Sequence, residues 1–352
     1  MESERKLATI RRITEINPIE GADLIEAISI GGWTVVAQKA MGYKVNDLVV
    51  YLEIDSFVAT EVAPFLTQEG KEPKEYLGIK GERLRTKKLK GVVSQGLLLP
   101  LEVAVQRFVE SDLDSGEELC EVFFEGADVT DLFGIIKWQP PAEFRSADAK
   151  GTFPGFIPKT DQERIQNLSR EFDKYKEAAE LWEITEKLDG SSMTVFFKDG
   201  NVGVCSRNLE LKEDIDNTFW GCAVDSGAVD ELKKFQQELA LQGELIGPGI
   251  QGNKYNLQKH EYHIYDIFDI AKQEYLLPEE RYKVVQAMQL MHCPVLEVQD
   301  LQFQGIPDIL AYAEGKSRLN TKTEREGVVF KNMQSSTSFK AISNKWLIKF
   351  EE

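Results

Sequence analysis

The stretch Trp138–Thr160, WQPPAEFRSADAKGTFPGFIPKT, carries four prolines, Pro140, Pro141, Pro154 and Pro158. A proline lacks an amide hydrogen and fixes φ, so neither a helix interior nor a central strand runs through such a segment. It splits a chain of 352 residues into two parts of ordinary domain size. We read residues 1–130 as one domain, 131–160 as a linker and 161–352 as a second domain. The chain is 42% hydrophobic, enough for each part to bury a core.

Before the break the chain is rich in short strands. LATIRRI, LIEAISI, TVVAQK and DLVVYLEI are β-branched and half-alternating, and Gly31-Gly32, Gly42 and Asn46-Asp47 punctuate them. GVVSQGLLLPL predicts one further strand. About five short strands in this length fit a small Greek-key barrel of the OB type. Between them, Lys80, Arg83, Arg85, Lys87, Lys88 and Lys90 face a single acid, Glu82, in a chain whose net charge is −17. The run reads either as a solvated strand face or as a surface for phosphate backbone. From about Glu110 to Asp131 the chain turns acidic.

After the break, Thr160 as N-cap and Glu163 three residues on predict a helix over QERIQNLSREFDKYKEAAELW. From Trp182 strands and helices alternate, an α+β pattern. LWEIT predicts a strand, and VFFKDGNVGVCSR a hairpin turning on Asp199-Gly200. VDELKKFQQELAL predicts a helix; ELIG and EYHIYDIFDI, strands. PEERYKVVQAMQLM and IPDILAYAEG predict helices, the first opened by Pro278, and GVVFKN and SFKAI the last strands.

The chemistry concentrates in this second part. Thr185-Glu186-Lys187-Leu188-Asp189-Gly190-Ser191-Ser192 leaves an apolar strand and enters a small-residue turn. A lysine there sits at a pocket floor, where desolvation or neighbouring cations can activate it as a nucleophile. Arg207 closes the hairpin, within reach of a phosphate or ribose. Glu244 lies in GELIG and Glu326 leads EGVVFK, while Lys340 and Lys345 bracket a strand end. One nucleophilic lysine, three acids (Asp189, Glu244, Glu326) and late lysines suit metal-assisted attack on a nucleoside triphosphate. The acids would hold Mg²⁺ or Mn²⁺, directly or through water, and the lysines would neutralise phosphate charge. Lys254, in GIQGNKYN, either approaches substrate or is solvated.

The order KLDG, SRN, ELIG, YDIFDI, EGVVFK and a late lysine strand resembles the collinear motifs of the covalent nucleotidyltransferases, which comprise ATP-dependent RNA and DNA ligases and mRNA-capping enzymes. The likeness spans Trp182 to Lys349. Thr-Glu-Lys at the nucleophile resembles the RNA ligase 2 branch, and the N-terminal barrel resembles RNA ligases that carry an OB domain ahead of the catalytic, ATP-grasp-like domain. FPGFIPKTDQERIQN resembles the same subgroup.

The resemblance implies an ATP-dependent RNA ligase of RNA repair, working through lysyl–AMP and RNA-adenylate. It would seal RNA 3′-OH and 5′-phosphate ends, as in nicked duplex, as a monomeric cytoplasmic enzyme. Lys187 would carry AMP, Glu186 would accept from the adenine amino group, and Gly190 would border the nucleotide. Arg207 would contact ribose and the nick end, and Lys340 the α-phosphate. Asp189, Glu244 and Glu326 would organise the metal. Tyr265 would stack on adenine, with Phe268 its rival because YDIFDI offers two registers. The branch usually has a second lysine where this chain has Ile342; Lys345 or Lys349 would substitute.

DNA ligases and capping enzymes usually place an OB domain after the catalytic one, and few residues follow the last motif here. A noncatalytic RNA-binding module stays the alternative of another class. The negative charge rules out a basic nucleic-acid coat over the whole surface. None of Cys120, Cys205, Cys222 and Cys293 forms a CxxC pair, which argues against a cysteine zinc site and for a reducing compartment. His260, His263 and His292 read as structural. No apolar run reaches the ~18–20 residues of a membrane span, and the charged start MESERKLATI predicts no secretory leader.

Overall fold

A computed structural model describes residues 5–111, 119–139 and 148–350. They form two compact units: the described residues up to position 141, with which Ile348–Phe350 are grouped, and those from there to Leu347. In the first, Leu48–Leu52 is the central strand between Ala8–Arg12 and Leu97–Pro100, both antiparallel to it. Glu15–Pro18, Ile25–Ile30 and Trp33–Gln38 form a meander. Ile136–Lys137, Ser56–Ala59, Ile79–Arg83 and Lys74–Tyr76 form a third sheet. Ile10, Val50, Leu52, Val58, Leu99 and Phe133 fill the core, and Leu101–Glu110 packs on it as a helix.

GVVSQGLLLPL is two strands, not one. Val92–Ser94 pairs with Lys87–Leu89, and Leu97–Pro100 with Leu48–Leu52. The break falls at Gly96, at φ 106°, where an added Cβ would stand 2.5 Å from the Leu52 carbonyl oxygen. In the basic run, Lys80, Lys87, Lys88 and Lys90 are exposed. Arg83 instead pairs with Asp55 at 2.5 Å and lies 3.8 Å over the Trp138 ring. Within 131–160, Ile136–Lys137 extends the first unit and Ala149–Thr152 pairs with Leu209–Leu211 in the second. Pro140 and Pro141 lie outside the described residues.

The second unit holds two sheets. The larger runs Ala149–Thr152, Leu209–Leu211, Asn201–Cys205, Ser191–Lys198, Leu239–Ile246, Glu261–Asp269, Glu274–Tyr275, and Met291–His292 also pairs with Glu261–Asp269. The predicted hairpin forms, with Asp199 at φ 49° and Gly200 at φ 77° as a primed turn requires. The smaller sheet runs Glu163–Arg164, Ser338–Ile342, Gly327–Asn332, Trp182–Lys187, Val295–Gln299. Alternation along each strand fixes its two faces. Met193, Val195, Leu239, Leu241 and Leu245 of the larger sheet pack on helices Thr218–Asp225, Ala228–Phe235 and Pro278–Ala287. Trp182, Ile184, Val328, Phe330, Phe339 and Ala341 of the smaller sheet pack on helix Ile306–Ala313. Each such fully buried side chain contributes about 2 kcal/mol. The intervening residues point the other way, into the cleft between the sheets.

One helix expectation fails and another is cut short. After Thr160, Glu163–Arg164 is a strand parallel to Ser338–Ile342, Ile165–Leu168 a 3₁₀ turn, and only Phe172–Glu177 an α-helix. Thr160 caps nothing: its hydroxyl meets that of Tyr265 at 2.9 Å. Glu163 accepts from the Arg164 amide and from Asn167. The helix of VDELKKFQQELAL ends at Phe235, where Gln236 turns left-handed at φ 54°; the apolar LAL opens the central strand Leu239–Ile246.

Candidate active site

Lys187 ends its strand opposite Gly327, so Glu326 emerges beside it. Both carboxylate oxygens of Glu326 accept from the Lys187 ammonium, at 2.7 Å each. Gly327 closes the approach: a Cβ there would stand 2.2 Å from the Ala341 carbonyl oxygen. Past Leu188 the chain turns at Asp189 and Gly190. The Asp189 amide donates to the Tyr255 hydroxyl at 2.7 Å, and the Gly190 amide to Glu244 at 3.0 Å. A Cβ on Gly190 would stand 2.4 Å from the Leu245 carbonyl oxygen, so this turn takes only glycine. Lys254 forms an ion pair with Asp189 and sits 5.2 Å over the Trp346 ring. Leu188, Ile246, Tyr255 and Cys293, with Tyr265 and Leu319 against them, make an apolar floor.

The charges are unequal. Burial pushes the Glu244 carboxyl up to about 8, and Glu326 and Asp189 add to this against Lys187. Glu326 also lies above its ordinary value, by burial. Burial pulls the Lys187 ammonium down, but Glu326, Glu244 and Asp189 outweigh it and hold the ammonium above its usual range. Glu186 is 1% exposed and raised by burial. One of its oxygens accepts from the Arg318 amide at 2.7 Å; among the described residues nothing hydrogen-bonds the other, Oε1.

A β-bulge at Tyr265 changes the face alternation of the strand Glu261–Asp269. Gln242 opposes Asp266 while Gly243 opposes Ile264, so Tyr265 is the extra residue. Before it, Tyr262 and Ile264 face the helices; after it, Ile267 does. The parity switch turns Tyr265 and Asp266 both toward the cleft. Tyr265 reaches Thr160 and, at 3.4 Å, Ser192. Phe268 does not join this group. It is 4% exposed and packs with Phe196, Ile157 and Phe156, its ring 5.1 Å from that of Tyr275.

Beneath Tyr265 lies a buried network. Lys331 pairs with Asp266 and donates to the Tyr265 carbonyl at 2.5 Å, and Arg281 pairs with Glu183 and, at 3.6 Å, with Asp266. Burial lowers the Lys331 ammonium and, aided by Arg281, His292 to about 4, so that histidine is a neutral structural partner of Arg281.

At the other edge, Lys340 donates to Asp161 at 2.7 Å and Arg207 lies 3.4 Å from the same carboxylate. Lys345 is not in the cluster: it is 68% exposed and pairs with Glu314 at 2.8 Å. Lys349 lies over the Phe350 ring, and Ile342 is buried. The additional lysine that enters the site is Lys254. Sequence reasoning named Lys254 but missed Asp161, Thr160 as more than a helix cap, and Arg164, which is buried in register with Lys340. TDQER was a visible signal, but its helix-start pattern concealed it.

Among the described residues no three acidic, histidine or cysteine side chains stand ready to hold a metal ion. The chemistry of the donors nevertheless fits one. Asp189, Glu244 and Glu326 offer oxygen only, as hard divalent ions require, and all three carboxylates act on the one Lys187 ammonium.

A family model described as RNA ligase matches residues 180–346, and an OB-fold domain model matches residues 7–101. No curated protein sequence matches. Among solved structures, a Naegleria gruberi RNA ligase variant with AMP and Mn is 42% identical over 97% of this chain and 98% of its own, at TM-score 0.87. A second variant, with ATP and Mn, has the same identity and coverage at TM-score 0.86. The Naegleria enzyme with pyrophosphate is 42% identical over 98% of each chain, also at 0.86. The first unit is therefore an OB-fold domain, the molecule is of α+β class, and the chain belongs to the RNA ligase family.

Proposed function

We infer that the protein is an ATP-dependent RNA ligase that joins RNA 3′-OH and 5′-phosphate ends, with nicked duplex as its substrate. The observation that carries this reading is Lys187 at the end of a strand, held against Glu326 and ringed by Glu244 and Asp189. The Lys187 amine attacks the α-phosphorus of ATP, forming a P–N bond and releasing pyrophosphate. Glu326, 2.7 Å from Nζ, takes one proton from the Lys187 ammonium to free the amine, and the second proton, lost as the P–N bond forms, leaves with pyrophosphate. An RNA 5′-phosphate then takes AMP from Lys187. Attack by the 3′-OH expels AMP and closes the phosphodiester.

The protein's part is positioning and electrostatics. Tyr265 offers its ring to adenine, and the open Oε1 of Glu186 suits the adenine amino group. Lys340 and Arg207 supply cations for phosphate. Asp189, Glu244 and Glu326 would hold Mg²⁺ or Mn²⁺ through water, which would neutralise phosphate charge and the carboxylates that keep Lys187 protonated. RNA binds the first unit through the exposed Lys80, Lys87, Lys88 and Lys90. The protein works as a monomer; its free, buried Cys205, Cys222 and Cys293 suit a reducing compartment such as the cytoplasm, and no described helix is long and apolar enough to cross a membrane.

The test is incubation with α-labelled ATP and Mg²⁺ or Mn²⁺ followed by a denaturing gel. Wild type becomes labelled and Lys187→Ala does not. Labelling from GTP alone would indicate a capping enzyme, and sealing of all-DNA nicks alone a DNA ligase. No label with either metal, after pyrophosphate has discharged any bound AMP, would leave an RNA-binding module.

A further inference from the structure

The segment ahead of strand Glu163–Arg164 is a strap fastened at many points. Phe153, Phe156 and Ile157 pack on Phe196, Ala240 and Phe268. The Pro158 carbonyl accepts from Gln242 at 2.8 Å, Lys159 donates to Asn208 at 3.0 Å, and Thr160 meets the Tyr265 hydroxyl. On the far side, Glu163 pairs in register with Phe339. The backbone at Asp161 is thus held from both directions, while its side chain remains 30% exposed.

That side chain spans two cations. One oxygen accepts from Lys340, whose side chain is 12% exposed, and the other faces Arg207, 45% exposed. A carboxylate holding one cation on each oxygen is the arrangement that two non-bridging phosphate oxygens would make. Lys340 and Arg207 are also the cations assigned above to substrate phosphate, and this argument rests on that reading. A phosphate and the Asp161 carboxylate cannot both occupy the space between them.

We propose that Asp161 is a built-in stand-in for substrate phosphate: its carboxylate keeps Lys340 and Arg207 paired and in place in the nucleotide-free enzyme, and swings aside when a phosphate arrives. The fixed strap confines the exchange to one side-chain rotation. The competing carboxylate weakens binding of every ligand that places a phosphate between these two cations, pyrophosphate added to the free enzyme included. A ligand without phosphate does not feel it.

The experiment compares wild type with Asp161→Asn by calorimetry, using ATP, pyrophosphate and adenosine in turn. Asp161→Asn is expected to bind ATP and pyrophosphate about two- to five-fold more tightly, the scale of a half-exposed ion pair, and adenosine equally well. Asp161→Glu, which keeps the charge, stays close to wild type. Equal or weaker binding of ATP and pyrophosphate, or a parallel loss for adenosine, would overturn the proposal and leave Asp161 a structural residue. A measurement without any variant decides it independently: in a structure with ATP bound, Asp161 no longer bridges Lys340 and Arg207, and a bridge that persists refutes the idea. If wild type binds no ATP and takes no label on Lys187, the ligase reading fails instead.

Discussion

The buried carboxyls around Lys187 tie stability to pH. Glu244 is pushed from 4.5 up to about 8 in the fold. Below 4.5 it is neutral both folded and unfolded, and the fold has its full stability. Between these values the unfolded chain ionises first, so stability is lost as pH rises, levelling off above about 8. Metal-free protein should therefore show a Tm that declines over that window, and Glu244→Gln should flatten the decline; an unchanged slope would mean that Glu244 is ionised in the fold. Gly190 has a different constraint. Its missing side chain lets the turn after Lys187 pass the Leu245 carbonyl. Gly190→Ala should cost about 1–3 kcal/mol in denaturant unfolding and displace Lys187 enough to abolish labelling by ATP. These residues were legible in the sequence because each needs one residue type at one spacing. Asp161 was not, because its partners Lys340 and Arg207 come from a strand and a turn remote from it in sequence.

The strand Glu261–Asp269 shows what periodicity alone cannot resolve. YDIFDI is consistent with either Tyr265 or Phe268 in the cleft; the bulge at Tyr265 leaves both on one face, and Phe268 is set apart by its cover of Phe156, Ile157 and Tyr275. A bulge leaves no local mark in composition. Two substitutions separate the roles. Tyr265→Ala should weaken ATP binding by the ~1–3 kcal/mol of a lost base stack, with little loss of fold. Phe268→Ala should destabilise the protein by about 3–5 kcal/mol while the folded fraction still takes label. Equal effects of the two on ATP affinity would refute this division of roles. The helix expected after Thr160 failed for a related reason. Thr and Glu at capping spacing are a local preference, and pairing with Ser338–Ile342 and burial of Ile165 outweigh it.

Across the molecule the charge is uneven, −17 in total with lysines gathered on one pair of hairpins of the OB-fold domain. Lys87→Ala with Lys88→Ala should weaken RNA binding and reduce its salt slope by about 1–2, leaving labelling of Lys187 by ATP intact. An unchanged slope would reassign those lysines to a solvated face. The strand-rich first unit was readable from alternation. The pairing within 131–160 was not, since Ile136–Lys137 and Ala149–Thr152 are too short to announce strands.

The order of the smaller sheet carries a consequence for biosynthesis. The strand that ends in Lys187 is flanked by Val295–Gln299 and Gly327–Asn332, both made by the ribosome long after it. Until they emerge, the nascent nucleophile has neither edge to lie against nor Glu326 beside it. Such long-range pairing is slow and comes late. The OB-fold strands before position 101, by contrast, pair among themselves and can be complete by then. A growing chain therefore completes its OB-fold strands first, and Lys187 gains both flanking strands and Glu326 only once residue 332 has been made.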